Sequence, residues 1–197
     1  ILFDKDGTLF DFYGTWGALT EEAALLAAEG DAARAAEVMR RSGKDPMTGR
    51  YLPGSVIASG SNREIAALWA EILGRADVDA LTDQVQAHFL ARQAHVMQPV
   101  VDFSSFFARL RERGYKLGIA TMDSEIAARQ AMEKFDVHTA LDFICGFDTG
   151  HGTKPGGGMV EAFARHLGLP ASAVAVVGDS PHDMHMARAG GAGRAVG

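Results

Sequence analysis

Apolar and polar positions follow two different rhythms along this chain. The opening "ILF" (residues 1–3) is an apolar strand that runs straight into "DKDGT". From about Thr15 to Met97 the spacing becomes helical, in the alanine-rich stretches "TEEAALLAAEG", "DAARAAEVMRRSG", "NREIAALWAEILG" and "ALTDQVQAHFLARQAHVM". After Pro99 short apolar runs alternate with amphipathic stretches. "FSSFFARLRERG", "SEIAARQAMEKF", "GGMVEAFARHLG" and "PHDMHMARAG" read as helices, whereas "YKLGIAT", "LDFICGF" and "AVAVVGD" read as strands. That alternation predicts a parallel sheet with right-handed crossovers and helices on both faces, and the opening strand belongs in it. The expected architecture is α/β: a doubly wound, Rossmann-like parallel-sheet core from residues 1–14 and 98–197, interrupted by an inserted all-α domain over residues 15–97. One long segment, "SGKDPMTGRYLPGSVIASGSN", has no clear period, and long irregular loops in compact domains are usually functional or mobile.

Composition narrows the classes. With 47% hydrophobic and 22% charged residues, the chain can bury a core and is not disordered. A net charge of -6 gives no basic footprint for nucleic acid or an anionic membrane surface, so any phosphate it handles must be small and locally bound. The single cysteine, Cys145, excludes an internal disulfide and reads as strand core, which points to a reducing, cytoplasmic setting. No apolar run reaches the roughly 18 residues of a membrane helix. The chain starts inside a strand and ends in "GGAGRAVG", which reads as the loop into another strand, so a fragment trimmed at both ends is expected.

Ligands of open parallel sheets bind beyond the carboxyl ends of the strands. The residues there are "DKDGT", "TMDS", "FDTGHGTKPGGG" and "GDSPHDM", which bring acids, a hydroxyl and a lysine to one place. In extended backbone Asp4 and Asp6 share a face while Lys5 points elsewhere. Adding Asp179 and Asp183 makes a repulsive cluster unless a cation sits among them, and oxygen-only ligands suit Mg²⁺.

These segments resemble the four motifs of the haloacid dehalogenase-like (HAD) hydrolases, in that family's order: "DKDGTL" (Asp4 to Leu9), "ATMD" (Ala120 to Asp123), "KPGGG" (Lys154 to Gly158) and "GDSPHDM" (Gly178 to Met184). The inserted helical region is similar to the family's α-helical cap, and the overall pattern looks most like its phosphoglycolate phosphatase branch. The resemblance implies a Mg²⁺-dependent phosphatase acting on a small phosphorylated metabolite. Asp4 would be the nucleophile, forming an aspartyl-phosphate, and Asp6 the general acid and then base. Thr121 and the backbone N–H of Met122 would contact the phosphoryl group, and Lys154 would neutralise charge on it. Mg²⁺ would be held by Asp4, the carbonyl of Asp6, and Asp179, with Asp183 in support through water or second-sphere contacts. Met122 stands where the family often has asparagine, and "KPGGG" has glycine where a second proline is common; neither change removes an essential group.

Each motif alone has a plainer explanation. "DGT" suits a turn, Ser180 and Pro181 suit a helix start, and Asp123 or Ser124 suits another. Four such coincidences placed after successive strands are not a plain explanation. His182 and His185 flank Asp183 on one helical face, yet lack a cysteine or third histidine at zinc spacing, so a partly exposed helix face is expected. His151 is expected either in solvent or against substrate, and Trp69 in the core of the helical insert. Arg50 or Arg63, beside the irregular segment, could reach a leaving group. Rival chemistries on the same scaffold are a haloacid dehalogenase, which has no need of Asp6; a phosphonate hydrolase, which needs a Schiff-base lysine and has only Lys44 in the insert; and a phosphomutase. A phosphate-binding module without turnover is the alternative outside enzymes. Substrate identity and oligomeric state are not readable from the chain.

Overall fold

The computed structural model describes all 197 residues, which divide into two compact units, Ile1–Phe12 with Met97–Gly197 and Tyr13–Val96. In chain order the first unit opens with β1 (Leu2–Phe3). Then come the helices α1 (Phe12–Ala27), α2 (Ala32–Arg41), α3 (Val56–Ser59), α4 (Asn62–Leu73) and α5 (Val78–Val96). The chain returns through α6 (Phe103–Glu112), β2 (Gly118–Ala120), α7 (Glu125–Lys134), β3 (Phe143–Cys145), α8 (Gly158–Leu167), β4 (Ala175–Val177), α9 (Pro181–Ala189) and β5 (Arg194–Val196). The sheet is fully parallel in the order β3-β2-β1-β4-β5, the α/β architecture expected from the alternating pattern.

Two-residue periodicity splits the strands between two apolar layers. Phe3, Ile119 and Ile144 lie side by side in register and pack with Phe103, Phe107 and Met132. Their neighbours Leu2, Ala120, Cys145 and Val176 face the other way, onto Met159, Phe163 and Met186. Gly118 is required by packing, since a Cβ there would lie 2.7 Å from the Phe163 ring. β1 is the central strand, so its C-terminal end opens into the middle of the edge where loops converge.

The helical unit is held by local signals and apolar faces. Ser61 and Glu64 form a capping box at the start of α4, and Gly74, at φ +67°, ends it. Ile65, Ala66, Trp69, Ala70 and Leu73 form the buried face of α4, while Leu81, Val85 and Phe89 do so on α5. The fully buried Trp69 donates its indole N–H to Ser42 at 2.8 Å, as a core tryptophan must find an acceptor. Two sequence expectations change here. α1 begins at Phe12, ahead of the alanine-rich stretch that revealed it, and the aperiodic segment contains the one-turn α3 and a bridge between Lys44 and Tyr51. No helix of the chain is long and apolar enough to cross a membrane.

Candidate active site

Parallel pairing places the predicted residues. Asp4 follows β1 directly, its N–H bonded to the Val177 carbonyl at 2.8 Å, and Thr121 follows β2 with its N–H on the Cys145 carbonyl at 2.9 Å. Gly178 and Asp179 follow β4 in the same way. Carboxylate oxygens of Asp4, Asp179 and Asp183 lie within 4.8 Å of one another. Asp4 and Asp183 are buried and Asp179 is exposed. Gly7 makes this approach possible: at φ +92° it turns the chain, and a Cβ there would stand 2.3 Å from Asp179 Oδ2.

Lys154, equally buried, is pinned between two of these acids, at 2.5 Å from Asp4 Oδ1 and 2.5 Å from Asp183 Oδ1. Burial works to lower the pKa of its ammonium, but Asp4 and Asp183 outweigh it and hold the group above the ordinary lysine range. Burial pushes the Asp4 carboxyl up to about 7; Lys154 opposes the rise, and Asp183 and Asp6 add to it. Asp179 is also raised, chiefly by desolvation. Asp183 divides its oxygens. Oδ1 meets Lys154, while Oδ2 accepts from the Ser180 hydroxyl at 2.6 Å and the Ser180 N–H at 3.1 Å, closing the capping box of α9. Pro181 occupies the first turn of that helix, so capping and clustering are served by the same residues.

The second half of the site departs from the sequence expectation that Lys5 points away. Lys5 is fully buried, and its ammonium lies 2.9 Å from Asp6 Oδ1, 2.7 Å from Asp6 Oδ2 and 3.1 Å from Asp123 Oδ2. A long flexible stem lets the ammonium return to the acid beside it even when the two Cβ atoms diverge. Burial disfavours the charge on Lys5, yet the two acids more than compensate and raise its pKa. Asp123 is raised by burial, with Lys5 opposing. The Asp6 carboxylate is therefore engaged by Lys5 and stands apart from the three-acid cluster. Thr121 accepts the Asp123 N–H at 3.0 Å on its hydroxyl oxygen, so its own proton can be directed to a ligand. Met122, between them, is half-buried. Ser124, rather than Asp123, caps α7.

Among the remaining candidates, His151, Arg50, Arg63 and Lys44 have partners within their own units. His185 is exposed and His182 half-buried, as expected of a helix face, and the three-acid cluster includes neither. His151 stacks on Phe143 with ring centroids 6.2 Å apart. Arg63 pairs with Asp79 at 2.5 Å, and Arg50 lies 4.9 Å over the Tyr13 ring. Lys44 is ion-paired with Glu21.

Comparison with known proteins identifies the family and the fold. A family model described as haloacid dehalogenase-like hydrolase matches residues 1–191. A phosphoglycolate phosphatase from Rhodospirillum rubrum is 29% identical over 200 residues, covering 97% of this chain and 76% of that protein. Among solved structures, CbbY from Rhodobacter sphaeroides in complex with phosphate aligns at TM-score 0.68 and 18% identity, over 98% of this chain and 83% of its own. A predicted phosphoglycolate phosphatase from Haemophilus somnus 129pt aligns at TM-score 0.71 and 18% identity, over 99% and 82%. At such identity the two structures speak for the fold alone.

Proposed function

The chain belongs to the haloacid dehalogenase-like hydrolases, and on that premise we propose that it is a Mg²⁺-dependent phosphatase that hydrolyses a small phosphomonoester through an aspartyl-phosphate on Asp4. The observation that carries the reading is the clustering of Asp4, Asp179 and Asp183 around a buried Lys154. An oxygen-only donor set, with Gly7 leaving room for Asp179, fits a hard divalent cation. Asp4, the carbonyl of Asp6 and Asp179 would hold Mg²⁺, with Asp183 in support through water or outer contacts; the ion when bound supplies positive charge against the repulsion of the acids and the anionic phosphoryl group.

The chain's own groups supply the remaining steps. Asp4 attacks phosphorus, and the departing alkoxide takes a proton from Asp6. Water then attacks the aspartyl-phosphate, giving its proton to Asp6 and freeing phosphate and the Asp4 carboxylate. Lys154 stands beside Asp4 to offset charge on the phosphoryl oxygens, and the Thr121 hydroxyl and Met122 N–H bind those oxygens. Residues 15–97 are assigned the role of a substrate-selecting cap by the same reading. A phosphoglycolate-like ester or a sugar phosphate is the proposed substrate class; the Rhodospirillum relative supports the first. A single free, buried cysteine is in keeping with a cytoplasmic setting. The ion pair of Lys44 with Glu21 disfavours the Schiff-base route, which needs a neutral amine.

The test is release of phosphate across a panel of small phosphate esters, with Mg²⁺ and with EDTA. Hydrolysis that requires Mg²⁺ and falls by roughly 10⁴-fold or more in Asp4→Asn is expected. Undiminished turnover in that variant would overturn the mechanism, and tight phosphate binding without turnover of any ester would favour a binding module.

A further inference from the structure

Lys5 has no part in the mechanism so far, yet its setting is costly. A lysine ammonium with no exposed surface must be matched by charge, and here two acids from different motifs supply it. One is Asp6, whose oxygens lie 2.9 and 2.7 Å from Nζ. The other is Asp123, buried, 3.1 Å from the same nitrogen, its Oδ1 accepting the Ser124 N–H at 2.8 Å and its own N–H bonded to the Thr121 hydroxyl. Asp123 is thus tied to the start of α7 and to Thr121, and it gives the ammonium a second, fixed anchor besides Asp6.

We propose that Lys5 is the positioning residue for Asp6, holding the carboxylate that moves protons in a fixed orientation by a clamp anchored on Asp123. Asp6 must give a proton to the leaving alkoxide and then take one from water. Both transfers need one oxygen within hydrogen-bond reach of a defined atom. Alone, a partly exposed aspartate would turn between rotamers. An ammonium held against both oxygens removes that freedom and leaves each oxygen a further lone-pair direction for the reaction. Lys154 performs the analogous service for Asp4, so the two acids of the first motif each have a lysine of their own.

The proposal rests on the phosphatase reading above, and its test separates the two. The purified full chain with saturating Mg²⁺ is assayed on p-nitrophenyl phosphate, whose phenolate leaves without a proton, and on a simple alkyl phosphate, whose alkoxide does not. For Lys5→Met, kcat/KM on the alkyl ester is expected to fall roughly 100-fold, the scale of general acid catalysis. On the aryl ester kcat/KM is expected to stay within about threefold while kcat falls, with a burst of p-nitrophenol close to one per enzyme, because water attack still needs Asp6. Competitive inhibition by inorganic phosphate should stay unchanged. Because Lys5→Met strands a buried carboxylate, Lys5→Met combined with Asp123→Asn is made alongside it and should give the same split. Equal losses on the two esters, or no loss on either, in a folded variant would overturn the clamp. Asp6→Asn provides the control. If it shows the split and the Lys5 variants do not, only the clamp fails; if the unaltered chain hydrolyses neither ester, the phosphatase reading fails first.

Discussion

The α/β unit and the helical unit handle buried polarity in opposite ways. In the first, Asp4, Lys5, Asp123, Lys154 and Asp183 all lie inside, two cations among three acids. In the second, the buried polar side chains are neutral: Thr15, Thr20, Ser42, Ser61, Asn62, Thr82 and Gln93. Its charges stay on the outside, as in the exposed Arg40–Glu37 pair. Hydrophobic packing needs no interior charge, and burying ion pairs is often no more stabilising than burying apolar groups of the same volume. The contrast teaches that the α/β interior is organised around chemistry, whereas the helical interior is organised around its own packing.

The sharpest way to break the comparison is to remove one buried cation. Lys154→Met leaves Asp4 and Asp183 facing each other, and a stability loss of about 3–5 kcal/mol is expected in Mg²⁺-free buffer. Urea unfolding measures it, and added Mg²⁺ should restore part of the loss while activity remains abolished. In the helical unit the comparable injury is to packing. Trp69→Ala should cost about 3–4 kcal/mol by the same measurement, with no dependence on Mg²⁺.

Gly7→Ala tests whether the acids need their close approach. A Cβ at φ +92°, 2.3 Å from Asp179 Oδ2, should weaken Mg²⁺ affinity by roughly 10–100-fold, read by titration, and lower stability by about 1–2 kcal/mol. The smallest effect concerns a buried group in the α/β unit with no ionic partner. Burial pushes the Cys145 thiol up to about 11 against the opposing Thr149 hydroxyl. The thiol stays protonated in the folded chain at pH 8, so a thiolate-directed reagent should react slowly in buffer and fast in urea. The stability due to the neutral thiol is complete below the unfolded thiol's range and drains away as pH rises toward 11.

Much of this was legible along the chain. Strand and helix alternation after Pro99 specified the parallel sheet, because each run carries its own period and needs no partner to be seen. Gly7 and Lys154 were legible as parts of motifs. The start of α1 was not, since "DFYGTWG" carries glycines and aromatics that lower helix propensity, and the helix begins at Phe12 regardless. Lys5 was missed although a signal existed. A lysine at the end of a buried strand requires a counter-charge, and Asp123 follows Thr121 by two residues; the chain order that separates them by more than a hundred positions hides the pairing.

What the sequence determined by itself is most of the strands and helices, though not α3 or β5, and which acids and lysines arrive at the carboxyl edge of the sheet, because periodicity and turn chemistry act over a few residues. Tertiary structure alone decided how those charges are shared out, with Lys154 taken by Asp4 and Asp183 and Lys5 by Asp6 and Asp123. The reason is physical: Coulomb attraction in a dry interior depends on distances that exist only after strands far apart in the chain have paired.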